Sequence, residues 1–177
     1  ARHTQDLHTL VAETLSLLRA TLPAGVALDH SPPEEPVLAV VNADQLHQML
    51  MNLCINGWHA LNGQVGRVTI ALRNVDLDKR AASRIGKLPP GRYAQLTVSD
   101  TGCGMDEVTR SRVFEPFFTT RPVGQGTGLG LAVVHGIVAA HHGAISVRSK
   151  VGRGSSFTVH LPATEPEGPV QTPSPQV

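Results

Sequence analysis

Length, composition and charge place the chain among single-domain globular proteins. At 177 residues with 41% hydrophobic side chains, it is long enough to bury a sizeable core. Its formal net charge of +1 provides no overall field that would recruit nucleic acid or an anionic membrane, so no nucleic-acid partner is expected. The two cysteines, Cys54 and Cys103, argue against a disulfide framework and favour a reducing, cytoplasmic compartment.

The first third of the chain predicts two helices separated by short apolar runs. Apolar side chains recur at helical spacing over the first twenty residues and predict a helix with one buried stripe. The runs 26–28 and 37–41 predict a hairpin or a pair of edge strands. A second helix is predicted over residues 42–61, where Asn42 and Gln45 have the spacing of a capping box.

The remaining elements predict an α/β two-layer sandwich, in which helices cover one face of a mixed sheet. They are strands over 66–77 and 92–100, a short helix near 106–113, an apolar helix over 131–140, and closing strands over 144–149 and 156–161. We expect a long exposed connection over 76–91, one domain over residues 1–162, and a disordered Pro-rich tail or linker over residues 163–177. No run of about 18 apolar residues is present, so no membrane span is predicted.

A first candidate constellation lies on the second predicted helix. Asn52, Asn56 and His59 fall at helical spacing and therefore share one face. Amide oxygens are hard ligands suited to Mg²⁺, and the imidazole would meet a phosphate. The alternative is an ordinary helix whose asparagines are satisfied by the backbone.

A second constellation follows the strand predicted over residues 92–100. The carboxylate of Asp100 would accept a hydrogen bond from an exocyclic amine, and Gly102 and Gly104 would let the backbone approach a flat ring. Such a site favours adenine over guanine, because guanine presents an acceptor where adenine carries its amino group. A plain Asp-Thr-Gly turn remains the alternative.

A third constellation is the glycine-rich run 124–130, which leads directly into an apolar helix. Alternating glycines before a helix N-terminus expose backbone N–H groups and make a cradle for an anion. The spacing excludes a dinucleotide fingerprint, and no Lys-Ser/Thr pair follows as in a Walker loop. The Phe-rich segment 114–121 before it predicts a lid with an aromatic anchor and makes Arg121 a candidate phosphate contact.

Taken together, the motifs resemble those of the sensor histidine kinases. The resemblance covers residues 5–162 in the right order: an N box at 52–60, a first glycine box at 100–104, an F box at 114–118, a second glycine box at 124–130, and the last strands at 152–162. It implies the GHKL (Bergerat) ATP-binding fold, which gyrase, the mismatch protein MutL and certain heat-shock chaperones share. It also implies ATP and Mg²⁺ as ligands.

The resemblance assigns a role to each matching residue. Asn56 would be the Mg²⁺ ligand with Asn52 as its neighbour, and His59 and Arg121 would be the catalytic contacts to phosphate. The expected base and phosphate contacts are Asp100, Gly102, Gly104, Met105 and, through water, Thr158 for adenine, and Gly124, Gly126, Thr127, Gly128, Leu129 and Gly130 for the phosphates. Two positions depart from the family: Gly57 replaces the usual Ala, and His59 replaces the commoner Lys or Arg.

The same resemblance implies a protein-histidine kinase that transfers the γ-phosphoryl group of ATP. The acceptor histidine would lie on a separate dimerisation domain, because neither His3 nor His8 has the expected sequence context. We therefore expect a longer parent protein, a downstream response regulator and a monomeric isolated domain. Membrane anchoring of the parent protein is left open. A nucleotide-sensing module without productive transfer is the first alternative. A gyrase- or chaperone-like ATPase clamp is disfavoured by the small size of the domain.

Overall fold

The computed structural model describes residues 1–122, 126 and 128–165. In chain order these residues form β1 (His3–Asp6), α1 (Leu7–Thr21), β2 (Val26–His30), β3 (Leu38–Val41), α2 (Ala43–Ala60), β4 (Gly66–Leu77), α3 (Lys79–Ile85), β5 (Gly91–Asp100), α4 (Glu107–Arg112), α5 (Gly130–Ala140), β6 (Ala144–Lys150) and β7 (Gly154–Thr164). Most predicted elements are therefore present, and the short helix expected near 106–113 is confirmed as α4.

The strands form one mixed sheet in the order β1-β3-β7-β5-β4-β2, and β6 also pairs with β7. All of these pairs are antiparallel except β2 with β4. The first alternative for runs 26–28 and 37–41, a hairpin, is wrong, because β2 pairs with β4 and not with β3. The second alternative, a pair of edge strands, is correct for β2 only, because β3 lies between β1 and β7. The connection between them contains Pro32, Pro33 and Pro36, which lack the N–H groups that a tight hairpin ladder needs.

One face of the sheet carries the hydrophobic core. Every second residue of the central strands is buried there: Val68, Ile70 and Leu72 of β4, Ala94, Leu96 and Val98 of β5, and Phe157, Val159 and Leu161 of β7. Helices α1, α2 and α5 contribute their buried stripes to the same cluster. The predicted two-layer α/β fold is confirmed. None of the helices in the described part of the chain combines the length and hydropathy needed to cross a bilayer.

The exposed connection expected over 76–91 contains a helix that the sequence reading missed. Asp78 caps α3 by accepting a hydrogen bond from the N–H of Ala81 at 2.7 Å. Only Ala82 of this helix is buried, so the segment has no apolar periodicity that would have predicted it.

Helix α2 begins as predicted, although its cap differs in one detail. The side chain of Asn42 accepts from the N–H of Gln45 at 3.0 Å. The N–H of Asn42 donates to Nε2 of His141, at 3.1 Å, instead of to a glutamine side chain. The buried His141 donates from Nδ1 to the carbonyl of Ile137 at 2.8 Å, which fixes its tautomer and joins the start of α2 to the end of α5.

The domain continues slightly beyond the predicted boundary at residue 162. Ala163 and Thr164 still belong to β7, where they pair with Ala39 and Leu38 of β3. The pairing partner in β3 lies more than a hundred residues away, so local composition could not indicate it. The rest of the predicted tail, beyond residue 165, lies outside the described residues.

Candidate functional site

A cavity of about 250 Å³ opens between α2 and the loop that leads to α5. Its lining includes most of the residues that the motifs predicted for a ligand: Asn52, Asn56, His59, Met105, Arg121, Gly126, Gly128 and Gly130. It also includes Thr109, Thr119 and Thr120, which sequence reasoning did not single out. The predicted Gly124 and Thr127 lie outside the described residues.

The two asparagines of α2 serve different purposes. Nδ2 of Asn52 donates to the carbonyl of Gly130 at 3.2 Å, which ties the middle of α2 to the first residue of α5. Asn56 lies one turn further along and faces the cavity, and its amide makes no hydrogen bond within the described part of the chain. Its oxygen is therefore available to a ligand.

His59 and Arg121 meet at the cavity wall. Nη1 of Arg121 lies 3.0 Å from Nδ1 of His59, and a guanidinium can only donate, so the imidazole accepts and is neutral. Burial lowers the pKa of His59, and the positive charge of Arg121 lowers it further. The pair connects α2 to the lid across 62 residues of sequence.

Asp100 does not line this cavity; it lines a second one, of about 260 Å³, at the β6–β7 hairpin. Its side chain is buried against Gly57 of α2, and Oδ1 accepts from the N–H groups of Gly102 at 2.9 Å and Ser155 at 3.3 Å. Burial raises the pKa of Asp100, and the two backbone hydrogen bonds partly offset that rise. Because both bonds use Oδ1, the other carboxylate oxygen is available to a donor from a ligand.

The glycines after Asp100 allow backbone segments to approach each other closely. A Cβ on Gly102 would lie 2.5 Å from the carbonyl oxygen of Ala60. Gly104 has φ +68°, and a Cβ there would overlap the carbonyl oxygen of Lys150. The turn is thus wedged between the end of α2 and the β6–β7 hairpin, and Cys103 donates to Ala60 at 2.9 Å.

Aromatic side chains of the segment 114–121 anchor it to the core as predicted, whereas its action as a lid stays a prediction. Phe114 packs edge-to-face on the core residue Phe157, and the guanidinium of Arg112 lies 4.4 Å from the ring centroid of Phe118. The N–H of Phe117 donates to the carbonyl of Gly128 at 2.9 Å, so the F box is bonded directly to the second glycine box.

Helix α5 starts at the cavity, and no side chain of the described residues caps its first turn. Leu129 occupies the N-cap position with its side chain partly exposed, and Gly130 is the first helical residue. Uncapped N–H groups at a helix N-terminus, together with the helix dipole, favour an anion at this end of the cavity.

Thr158 does not belong to this site, so the expectation that it contacts a base through water is wrong. Its hydroxyl lies 3.2 Å from that of Thr97, on the sheet face opposite the core residue Phe157. Ser155, which shares the strand face of Phe157, donates its backbone N–H to Asp100 at 3.3 Å, and its hydroxyl lies 2.7 Å from that of Ser149. Side chains alternate along a strand, so an odd–even offset decides which face a residue occupies, and the sequence alone did not provide that register.

The cysteines take no part in the cavity. Both are free thiols, as the sequence predicted, and Cys54 is buried in the core. Burial raises the pKa of Cys54 to about 12, so its thiol stays protonated and unreactive at neutral pH.

The structure is an α/β domain with a cavity between α2 and the loop that leads to α5, and Asn56, His59 and Arg121 are among the residues that line it. The family described as "Histidine kinase-, DNA gyrase B-, and HSP90-like ATPase" matches residues 41–165. The sensor kinase CckA of Brucella abortus is 36% identical over 159 residues, which are 89% of this chain and 16% of that protein. The signal transduction histidine-protein kinase AtoS of Escherichia coli is 35% identical over 94% of this chain and 25% of its own length.

Solved structures show the same fold. The mycobacterial sensor histidine kinase MprB superposes with a TM-score of 0.73 at 23% identity, over 92% of this chain and 98% of that one. Full-length ShkA in complex with AMPPNP gives a TM-score of 0.68 at 25% identity, over 97% of this chain and 33% of that one. The chain therefore belongs to this ATPase family, as an ATP-binding domain of the sensor histidine kinase type. It spans between a tenth and a third of the length of the curated relatives it matches.

Two glycines at the β6–β7 turn provide a test of this architecture. Both have positive φ, but a Cβ on Gly152 would meet open space, whereas one on Gly154 would overlap the carbonyl oxygen of Asp100. We expect Gly152→Ala to cost only the left-handed backbone strain of about 1–2 kcal/mol. Gly154→Ala should cost about 1–3 kcal/mol more because it overpacks the junction. Urea unfolding of both variants checks this, and equal losses would contradict it.

Proposed function

We propose that this domain binds Mg²⁺·ATP and presents the γ-phosphoryl group to a histidine on another domain of its parent protein. The observation that carries the proposal is that Asn56, His59 and Arg121 line one cavity beside α2. The buried Asp100 of β5 packs against the same helix at Gly57. Metal, phosphate and base groups are thus arranged around the C-terminal half of α2.

In this proposal Asp100 selects the base. Its available carboxylate oxygen accepts a hydrogen bond from the exocyclic amine of adenine, while Gly102 and Ser155 hold the other oxygen in place. Guanine has a carbonyl oxygen where adenine has its amine. This oxygen would face the carboxylate, and neither of these buried acceptors would receive a hydrogen bond. The site therefore discriminates ATP from GTP.

Asn56 is the proposed Mg²⁺ ligand. Within the described residues, His, Cys, Asp and Glu form no group of three that would hold a metal ion by themselves. An amide oxygen at the wall of a polar cavity fits an ion that keeps several waters and binds mainly through nucleotide phosphates. When bound, the ion would neutralise phosphate charge during transfer.

The phosphates would lie between α2 and the lid. His59 and Arg121 supply donors from the two sides, and the N–H groups at the start of α5 supply a third set. Arg121 can form bidentate hydrogen bonds with phosphate oxygens. These groups position the nucleotide and stabilise charge, which is most of what phosphoryl transfer requires of a protein.

The proposed acceptor and later partner are inferred by analogy with the relatives. Curated relatives are sensor kinases much longer than this chain, so we propose a dimerisation domain bearing the acceptor histidine in the same parent protein and a response regulator as the next acceptor. The imidazole nitrogen attacks the γ-phosphorus, the bond to the β-γ bridging oxygen breaks, and ADP leaves with its electron pair.

Mixing this domain with the acceptor domain of its parent and γ-labelled ATP tests the function. We expect acid-labile, base-stable label on the acceptor domain. Asp100→Asn should reduce both the label and the preference for ATP over GTP, because the amide no longer provides a carboxylate acceptor. Tight ATP binding without label, in the joined protein as well, would favour the nucleotide-sensing alternative. Absence of ATP binding would refute both.

The metal assignment is tested with Asn56→Ala. We expect ATP affinity to fall about tenfold in excess Mg²⁺, because one ligand of the ion is lost, and to stay unchanged in EDTA. Isothermal titration calorimetry under both conditions measures this. Gln48→Ala, at an exposed position of the same helix, is the matched control and should bind ATP like the wild-type domain. Equal loss with and without Mg²⁺ would contradict the role given to Asn56.

His59 should make ATP binding depend on pH. The pKa of His59 is lowered in the free domain by burial and by Arg121, and a bound phosphate would raise it. Binding then takes up a proton between these two pKa values, so ATP affinity should rise as the pH falls from 8 towards 6. Calorimetry in buffers of different ionisation enthalpy measures the proton uptake.

His59→Gln is the control for the titration of ATP itself. This variant keeps a polar side chain but cannot titrate, so it should retain only the pH dependence that comes from the nucleotide phosphates. Proton uptake identical to that of the parent would show that His59 does not titrate on binding.

A further inference from the structure

Gly57 is a buried residue of α2 that packs against strands β4 and β5. A Cβ at this position would stand 3.2 Å from Cγ2 of Val68 and 3.4 Å from Cβ of Asp100. The first distance is shorter than ordinary van der Waals contact. An alanine here would therefore press on Val68 and come into van der Waals contact with Asp100.

Val68 and Asp100 are cross-strand partners. They face each other in the antiparallel register of β4 and β5, and both point towards α2. Val68 is fully buried, and its branched side chain has little freedom to rotate. Asp100 is held from the other side, because Oδ1 accepts hydrogen bonds from the N–H groups of Gly102 and Ser155. Neither residue can retreat from the helix at low cost.

The helix cannot easily retreat either. The carbonyl of Ala60, one turn beyond Gly57, accepts a hydrogen bond from Cys103 at 2.9 Å, and Gly102 lies against the same carbonyl. These contacts clamp the end of α2 to the turn that follows Asp100. A methyl group at position 57 would therefore change the spacing between Asn56 on the helix and Asp100 on the sheet.

We propose that Gly57 is a positioning residue, which together with Val68 sets the distance between the base-binding Asp100 and the metal-binding face of α2. In this chain the Val68 side chain fills the space that an alanine methyl at position 57 would need. The inference rests on the proposed nucleotide site and adds to it a determinant of how base and phosphates are bound together.

The test compares Gly57→Ala with Gly136→Ala. Gly136 also lies inside a helix, but a Cβ there meets nothing within 4 Å. Because Ala is a better helix former than Gly, Gly136→Ala should raise the melting temperature and leave ATP binding unchanged. Gly57→Ala should give no such rise and should weaken ATP binding about three- to tenfold, since small misplacements of binding groups are costly.

Two further measurements separate positioning from general destabilisation. Inorganic triphosphate needs no base contact, so its affinity should be the same for Gly57→Ala and the parent. The double variant Gly57→Ala/Val68→Ala makes room for the new methyl group and should bind ATP within about twofold of Val68→Ala alone. Both results together would support the proposal.

The outcomes that overturn the proposal are distinct. If Gly57→Ala binds ATP like the wild-type domain and gains stability like Gly136→Ala, the close contact with Val68 has no consequence. Equal loss of ATP and triphosphate binding, or no rescue by Val68→Ala, would show that the methyl group acts on the whole domain. If the wild-type domain binds no ATP, the proposed function itself is refuted, and the inference with it.

Discussion

The structure depends on one junction, where the chain leaves β5 and passes between α2 and the β6–β7 hairpin. Cys103 donates to the carbonyl of Ala60 on one side and accepts from the N–H of Gly152 at 2.7 Å on the other. The glycines at 102 and 104 permit this double approach because side chains would overlap the flanking carbonyls. The junction fixes Asp100 relative to the helix that carries the other predicted ligand groups.

This arrangement gives the two sides of the proposed site different packing. Asp100 is buried and is held by β4, β7 and α2. The other side is assembled from single contacts: Asn52 to Gly130, Arg121 to His59, and Phe117 to Gly128. Under the proposed function, the base would bind at the more tightly packed side and the phosphates at the side assembled from single contacts.

Local chemistry explains which features could be predicted. The capping asparagine of α2, the apolar stripe of α1 and the alternation of β4 and β5 are properties of neighbouring residues, and all appear as expected. Motif spacing likewise predicted the cavity residues on α2 and Arg121 on the lid. Helix α3 was missed because burial of Ala82 alone leaves no periodic signal, and the hairpin of β2 with β3 was wrong because strand pairing is a long-range choice.

The sequence by itself determined the family, the α/β class and the chemical types of the site, because these follow from residue identity and spacing. The tertiary structure decided which groups meet. It placed Ser155 beside Asp100, turned Thr158 to the opposite face, paired His59 with Arg121, and brought Gly57 against Val68. These outcomes depend on strand register and on the separation of helix and sheet, which many distant residues set together and no local pattern records.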